Sequence, residues 1–183
     1  MKRFAGLLSI GVSLLLVGAC HARQPVPEYR PAATIREIMQ SMVDPNADNI
    51  WDSVGSVSNE AGVQELAPRT DEEWTAIRRS AVQLIEAPNL LLVPGRHAAR
   101  PGEKAEDSSV ELEPEEIEKR INADRAAFTN LAHALQDSAT LILKAIEAKD
   151  VPAIIDAGET LDTACENCHL TYWYPNQNPA PKQ

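Results

Sequence analysis

Apolar residues recur at three- and four-residue intervals along most of the chain, the signature of helices that each bury one face. Ile35, Ile38, Met39 and Met42 fall at i, i+3, i+4 and i+7, and Ala47, Ile50, Trp51 and Val54 repeat the pattern. Asp44-Pro45, between the two runs, resembles a helix start with proline in its first turn, so a first helix broken or kinked near Pro45 is expected. Thr70 with Glu73 three residues on forms a capping box and opens a second helix. Its inward face is Trp74, Ile77, Ala81, Leu84 and Ile85, and its end is expected near Pro94. A third, longer helix is predicted from about Pro114 through Ile117, Ile121, Phe128, Leu131, Leu135, Ile142 and Ile146 to Lys149-Asp150. Asp150 caps a fourth, on which Leu161, Cys165, Cys168 and Tyr172 stand at spacings of four, three and four and share one stripe. The pattern predicts an all-α fold, an antiparallel four-helix bundle.

Between and around these runs the chain loses its period. Pro25, Pro27 and Pro31 make residues 20–32 an extended tether. Pro94 to Glu113 carries Pro-Gly pairs and an acidic, serine-containing run, and is expected to be an exposed loop. A disordered tail is expected over residues 176–183, which leaves 33–175 as the helical domain.

The chemistry is concentrated in Cys165-Glu166-Asn167-Cys168-His169. A C-x-x-C-H run is the attachment sequence of c-type haem, in which two thiols add to the porphyrin vinyl groups and the imidazole ligates iron. On a helix the two sulfurs and the imidazole project from one face, so a flat porphyrin is gripped at three points. A structural zinc site needs four N/S ligands, and the only other cysteine is Cys20, with no paired ligand spacing at His21, His97 or His133. A thioredoxin-like pair needs a βαβ context, and no alternating strand-like run precedes the motif. One covalent haem c in the bundle core is therefore expected. With only 4% aromatic residues, its apolar bulk would supply much of what the aliphatic side chains lack.

Haem of this type is attached outside the cytoplasm, and the amino end reads as an export signal. Lys2 and Arg3 precede an apolar stretch from Phe4 to Val17, too short for a stable membrane span. Leu16-Val17-Gly18-Ala19-Cys20 resembles a bacterial lipoprotein signal, with cleavage after residue 19 and lipid on Cys20; Cys20-His21-Ala22 also suits ordinary signal peptidase. Two thiols for haem and one for lipid would leave none free in an oxidising compartment. Periplasmic localisation, with a membrane anchor through Cys20, is the expectation, and no aspartate follows Cys20 to act as an inner-membrane retention signal. Loss of Lys2 and Arg3 moves the net charge from −10 to −12, which disfavours nucleic acid and suits solubility or a basic protein partner. No Ser-His-Asp arrangement, phosphate loop or paired-carboxylate motif is present, so the chain is read as a carrier and not an enzyme.

A C-x-x-C-H run near the carboxyl end, followed by Tyr172-Trp173-Tyr174-Pro175, resembles the end of the fourth helix in class II cytochromes c, the cytochrome c′ and cytochrome c556 group. The resemblance spans residues 33 to 175, matching least in the approach to the third helix and at Pro94 to Glu113. It implies a monohaem electron carrier acting with redox partner proteins, and it allows a homodimer. It also implies that the first helix decides the sixth iron position. A methionine there makes an electron carrier, whereas a non-ligating residue leaves iron open to nitric oxide or carbon monoxide, as in cytochrome c′. Met39 and Met42 both lie on the inward stripe. Met39 is preferred because it sits nearer the middle of the stripe, three residues after Arg36, and a basic residue commonly precedes the sixth-ligand position in this group. Arg36 is a candidate partner for a haem propionate, with a solvated helix arginine as its alternative, and core packing is the alternative role of both methionines.

Overall fold

The computed structural model describes residues 28–60, 62–175 and 177. The signal-like segment 1–19, Cys20, the tether up to residue 27 and all of the tail except Gln177 lie outside the described residues. The chain divides into two units, Met1–Arg30 and Pro31–Gln183. Of the first, only residues 28–30 are described, and all three are exposed. No described helix is long and apolar enough to cross a membrane.

The second unit is mostly helical. Its first helix is built in three consecutive pieces: α1 (Ile35–Ile38), a π-helical turn (Met39–Val43) and α2 (Asp44–Trp51). Thr34 and Glu37 form a capping box, with the Thr34 Oγ1 accepting from the Glu37 N–H at 3.2 Å and the Glu37 carboxylate accepting from the Thr34 N–H at 2.9 Å. The break expected at Pro45 falls one turn earlier, because proline cannot donate to the carbonyl four residues back. The Asp44 N–H instead reaches the Met39 carbonyl, five residues back. The Asn46 Nδ2 donates to the Met42 carbonyl at 2.7 Å, satisfying another group in the widened turn.

α3 (Asp71–Leu91) opens on the expected Thr70–Glu73 box. Ile77, Ala81 and Leu84 are buried, while Trp74 and Ile85 are only half-buried. The single third helix expected from Pro114 onward is two helices, α4 (Pro114–Ala123) and α5 (Arg125–Glu147). Asp124 leaves the helical region at φ −141°, ψ 76°, and its carboxylate accepts from the Ala127 N–H at 2.9 Å as the cap of α5. α5 closes in a Schellman arrangement, with the Lys149 N–H on the Ile146 carbonyl and the Asp150 N–H on that of Ala145. Lys149 there takes the left-handed conformation usually left to glycine, φ 54°. Its ammonium pairs with Asp71 at 3.0 Å and lies 5.7 Å from the centre of the Trp74 ring, tying this corner to the start of α3. Asp150 caps α6 (Val151–Tyr172) through the Ala153 N–H.

The five helices pack as a bundle, α5 lying against both α3 and α6, and α2 against α3. Ile38, Ile50, Leu84, Leu91, Ile117, Ile142, Ile154 and Leu161 are fully buried between them. Each such side chain contributes roughly 1.5–3 kcal/mol of transfer free energy.

Two further features depart from the sequence reading. The fold is not purely α-helical: β1 (Gly55–Asn59) and β2 (Gly62–Leu66) form an antiparallel hairpin closed by the Asn59–Gly62 pair, with Gly62 at φ 121°. The stretch from Pro94 to Glu113 is irregular but not simply exposed, since Ala98 and Ala99 are buried. Its His97 and Ala98 carbonyls accept the first helix's Ile35 and Arg36 N–H groups at 2.9 and 3.0 Å, donors a helix cannot satisfy internally. At its far end the Leu112 N–H donates to the Trp173 carbonyl at 2.8 Å, so the segment braces both the start of α1 and the end of α6.

Leu84→Ala should destabilise the folded chain by about 2–5 kcal/mol, the usual result of truncating a fully buried leucine. Val82→Ala, on the exposed side of the same helix, should change stability by no more than about 0.5 kcal/mol. Urea unfolding of the two variants checks the assignment of the core face.

Candidate functional site

The last turns of α6 carry Cys165, Cys168 and His169, all half-buried, on the stripe that Leu161 and Tyr172 continue into the core. Two adjoining lobes of one cavity, of about 450 and 250 Å³, share Cys168 and His169 as walls, and Cys165 lines the larger. Facing the motif are Met39, Asp44 and Phe128, which also line both lobes. Leu131, Ala132 and Leu135 of α5 and Val43 and Ala47 of the first helix give the larger lobe its apolar lining. Its volume lies within the ordinary range of small-molecule and cofactor sites, about 300–1,000 Å³.

The π turn selects which residues of the first helix reach this cavity. In a turn widened by a residue, positions four and five beyond Met39 return to its face, and the position three beyond is carried off it. Val43 and Asp44 accordingly line the larger lobe, and Met42 lines neither. Of the two candidate methionines, Met39 is the one that shares a cavity with His169. Arg36 lines the smaller lobe. Its side chain is 11% exposed, its Nη1 donates to the Lys104 carbonyl at 2.9 Å, and its Nη2 is buried with no hydrogen-bond partner among the described residues. A buried guanidinium nitrogen with an uncommitted donor is a costly feature that an anionic oxygen would satisfy.

Where α6 ends, the His169 carbonyl accepts from both the Trp173 and Tyr174 N–H groups, at 2.7 and 3.0 Å. That turn brings the Tyr174 phenol beside the imidazole. Its oxygen lies 3.1 Å from Nδ1 of His169 and donates its proton to the Glu166 carboxylate at 3.0 Å. With the phenol proton committed to Glu166, Nδ1 must be the donor and Nε2 the free base of a neutral ring. Burial holds the His169 pKa below its ordinary value, against the opposing charges of Asp44 and Glu166, which favours that neutral form. The Asp44 carboxyl is raised, chiefly by its own desolvation, with the nearby imidazole pulling the other way. Burial pushes the Cys165 thiol up to about 12, with Asp162 adding to it, and the Cys168 thiol up to about 11.

These features fit a porphyrin bound at the motif: two thiols and a neutral imidazole on one wall, a thioether among the facing residues, apolar sides, and a guanidinium whose Nη1 is held by the Lys104 carbonyl and lies 4.0 Å from Glu103 while Nη2 is uncommitted. Among the described residues, no three or more His, Cys, Asp and Glu side chains gather as a lone metal ion would require. His133 is exposed on α5. Trp51 lines the larger lobe and Trp173 the smaller, whereas Trp74 lines neither. The sequence reading placed Asp44 only at a helix start and gave Glu166 no role. Glu166 occupies a variable position of the motif, and Asp44 reaches the cavity only through the π turn, which Pro45 alone hints at. Comparison with models of known families, with characterised proteins and with solved structures returned no match to this chain.

In the haem-free folded chain, both thiols should resist alkylation by iodoacetamide at pH 8, because thiols with pKa values near 11 and 12 hold little thiolate there. Unfolding in guanidinium should restore the rate of an ordinary cysteine, and mass spectrometry over time reads both.

Proposed function

We propose that the chain is an exported monohaem c-type cytochrome that carries single electrons in the bacterial periplasm, held to a membrane by lipid on Cys20. The observation that carries this reading is the C-x-x-C-H run lining a cavity that Met39 and Arg36 also line. Haem bound there supplies the chemistry, a one-electron cycle between ferric and ferrous iron.

Each residue then has a task. Cys165 and Cys168 would hold the porphyrin by their sulfurs, and His169 would offer Nε2 to the iron. Met39 would offer its thioether to the iron, which would favour the reduced state. Arg36 neutralises a propionate through charge-assisted hydrogen bonds. Phe128, Leu131 and Leu135 give the site apolar walls that would limit water at a bound iron. The acidic surface suits a basic redox partner. The antiparallel four-helix arrangement of class II cytochromes c is the finer form of the bundle that this reading adopts, with 35–51, α3, α5 and α6 as its helices and α4 as an added piece.

The rival reading, a five-coordinate protein that binds nitric oxide or carbon monoxide, uses the same motif and cavity and differs only in giving Met39 no bond to iron. Absorption spectra of the reduced haem-loaded protein, with and without carbon monoxide, separate the two. The unsubstituted protein and Met42→Ala should be low-spin and unmoved by the gas, and Met39→Ala should be high-spin and shift on adding it. A gas-sensitive, high-spin spectrum in the unsubstituted protein would favour the rival, and a change confined to Met42→Ala would transfer the ligand to Met42.

A further inference from the structure

We propose that Tyr174 and Glu166 act together as positioning residues that fix the tautomer of His169 and strengthen its Nε2 as an electron donor to bound iron. This deepens the function proposed above and rests on it.

A phenol has one proton and here two neighbours able to accept it, Nδ1 of His169 at 3.1 Å and the Glu166 carboxylate at 3.0 Å. If the phenol donated to Nδ1, the ring proton would sit on Nε2 and block the iron-binding nitrogen. A carboxylate is the stronger acceptor, so the phenol proton goes to Glu166, the phenol oxygen accepts from Nδ1–H, and Nε2 keeps its lone pair. Glu166 therefore decides the imidazole tautomer without touching the imidazole. Both partners are half-buried.

The backbone prepares the arrangement. Glu166 precedes His169 by three residues on α6, so the two share a face. The turn after Tyr172 folds Tyr174 back over both, with its ring centre 5.5 Å from that of the imidazole. A carboxylate acting through a hydrogen-bonded intermediary raises the basicity of a metal-ligating histidine, and a more basic imidazole stabilises ferric over ferrous iron. The pair would then oppose the potential-raising effect of a methionine ligand. No electron or proton is consumed by this device: the two hydrogen bonds persist in both oxidation states, and only their strengths differ.

The test uses the haem-loaded full-length protein with Tyr174→Phe, Glu166→Gln and the double substitution. Two quantities are read, the midpoint potential and the exchange rate of the His169 Nδ1 proton with solvent, followed by nitrogen-15 NMR of the reduced protein. Tyr174→Phe should shift the potential positive and speed the exchange by about tenfold, the loss of one hydrogen bond. Glu166→Gln should shift both in the same sense by less, since an amide oxygen still accepts from the phenol. The double variant should match Tyr174→Phe alone, because the groups act in series. Single variants that retain haem with potential and exchange unchanged would overturn the inference while leaving the cytochrome reading intact. Failure of the unsubstituted chain to attach haem would overturn both.

Discussion

Proline 45 lacks a backbone donor, and the register of the first helix against the C-x-x-C-H face follows from how the chain accommodates that. A π turn over Met39–Val43 precedes it, with the Asp44 N–H reaching the Met39 carbonyl and the Asn46 side chain covering that of Met42. Its consequence is a change of face: Met39, Val43 and Asp44 come to the cavity, and Met42 leaves it. A continuous α-helix would have kept both methionines on one stripe. One residue without an N–H thus determines which sulfur stands among the residues facing His169.

The remaining elements hold that cavity in shape. α5 supplies Phe128, whose ring meets Tyr172 edge-on at 5.4 Å and lies under the Arg125 guanidinium at 5.2 Å. The irregular segment after Pro94 ties the start of α1 to α4 and to the end of α6, through His97 on Glu118 at 3.1 Å and Leu112 on Trp173. These are hydrogen bonds between distant stretches of sequence. They fix the relative positions of Arg36, Met39 and His169 more closely than apolar packing alone, which is non-directional.

Helix starts were legible because capping is local chemistry. Thr70 with Glu73, and Asp150 before Val151, specify their termini within four residues. The Leu161, Cys165, Cys168 and Tyr172 stripe was legible because α6 keeps a regular period to its end. The hairpin was not: Val57 and Val63 fall on strands whose both faces are largely solvated, so no alternation of apolar and polar positions marks them. The break at Asp124 was hidden because Ile121 and Phe128 are seven residues apart, a spacing that one unbroken helix would also show. The box of Thr34 and Glu37 was present in the sequence as Thr-x-x-Glu and went unread. Arg36 was named as a propionate partner from resemblance; its buried, uncommitted Nη2 adds a physical reason that no linear pattern carries. The link from Glu166 through Tyr174 to His169 depends on how the chain folds back after α6, which residue spacing does not encode.

Covalent haem on Cys165 and Cys168, as proposed, would be recorded in the mass of the intact chain. The protein should be exported together with a cytochrome maturation system, denatured, extracted with acidified organic solvent and weighed. One iron porphyrin should remain on the unsubstituted chain, with both vinyl groups saturated in the pyridine haemochrome spectrum, and none on a Cys165→Ala, Cys168→Ala chain. An unsubstituted chain that emerges with only its polypeptide mass would contradict the account.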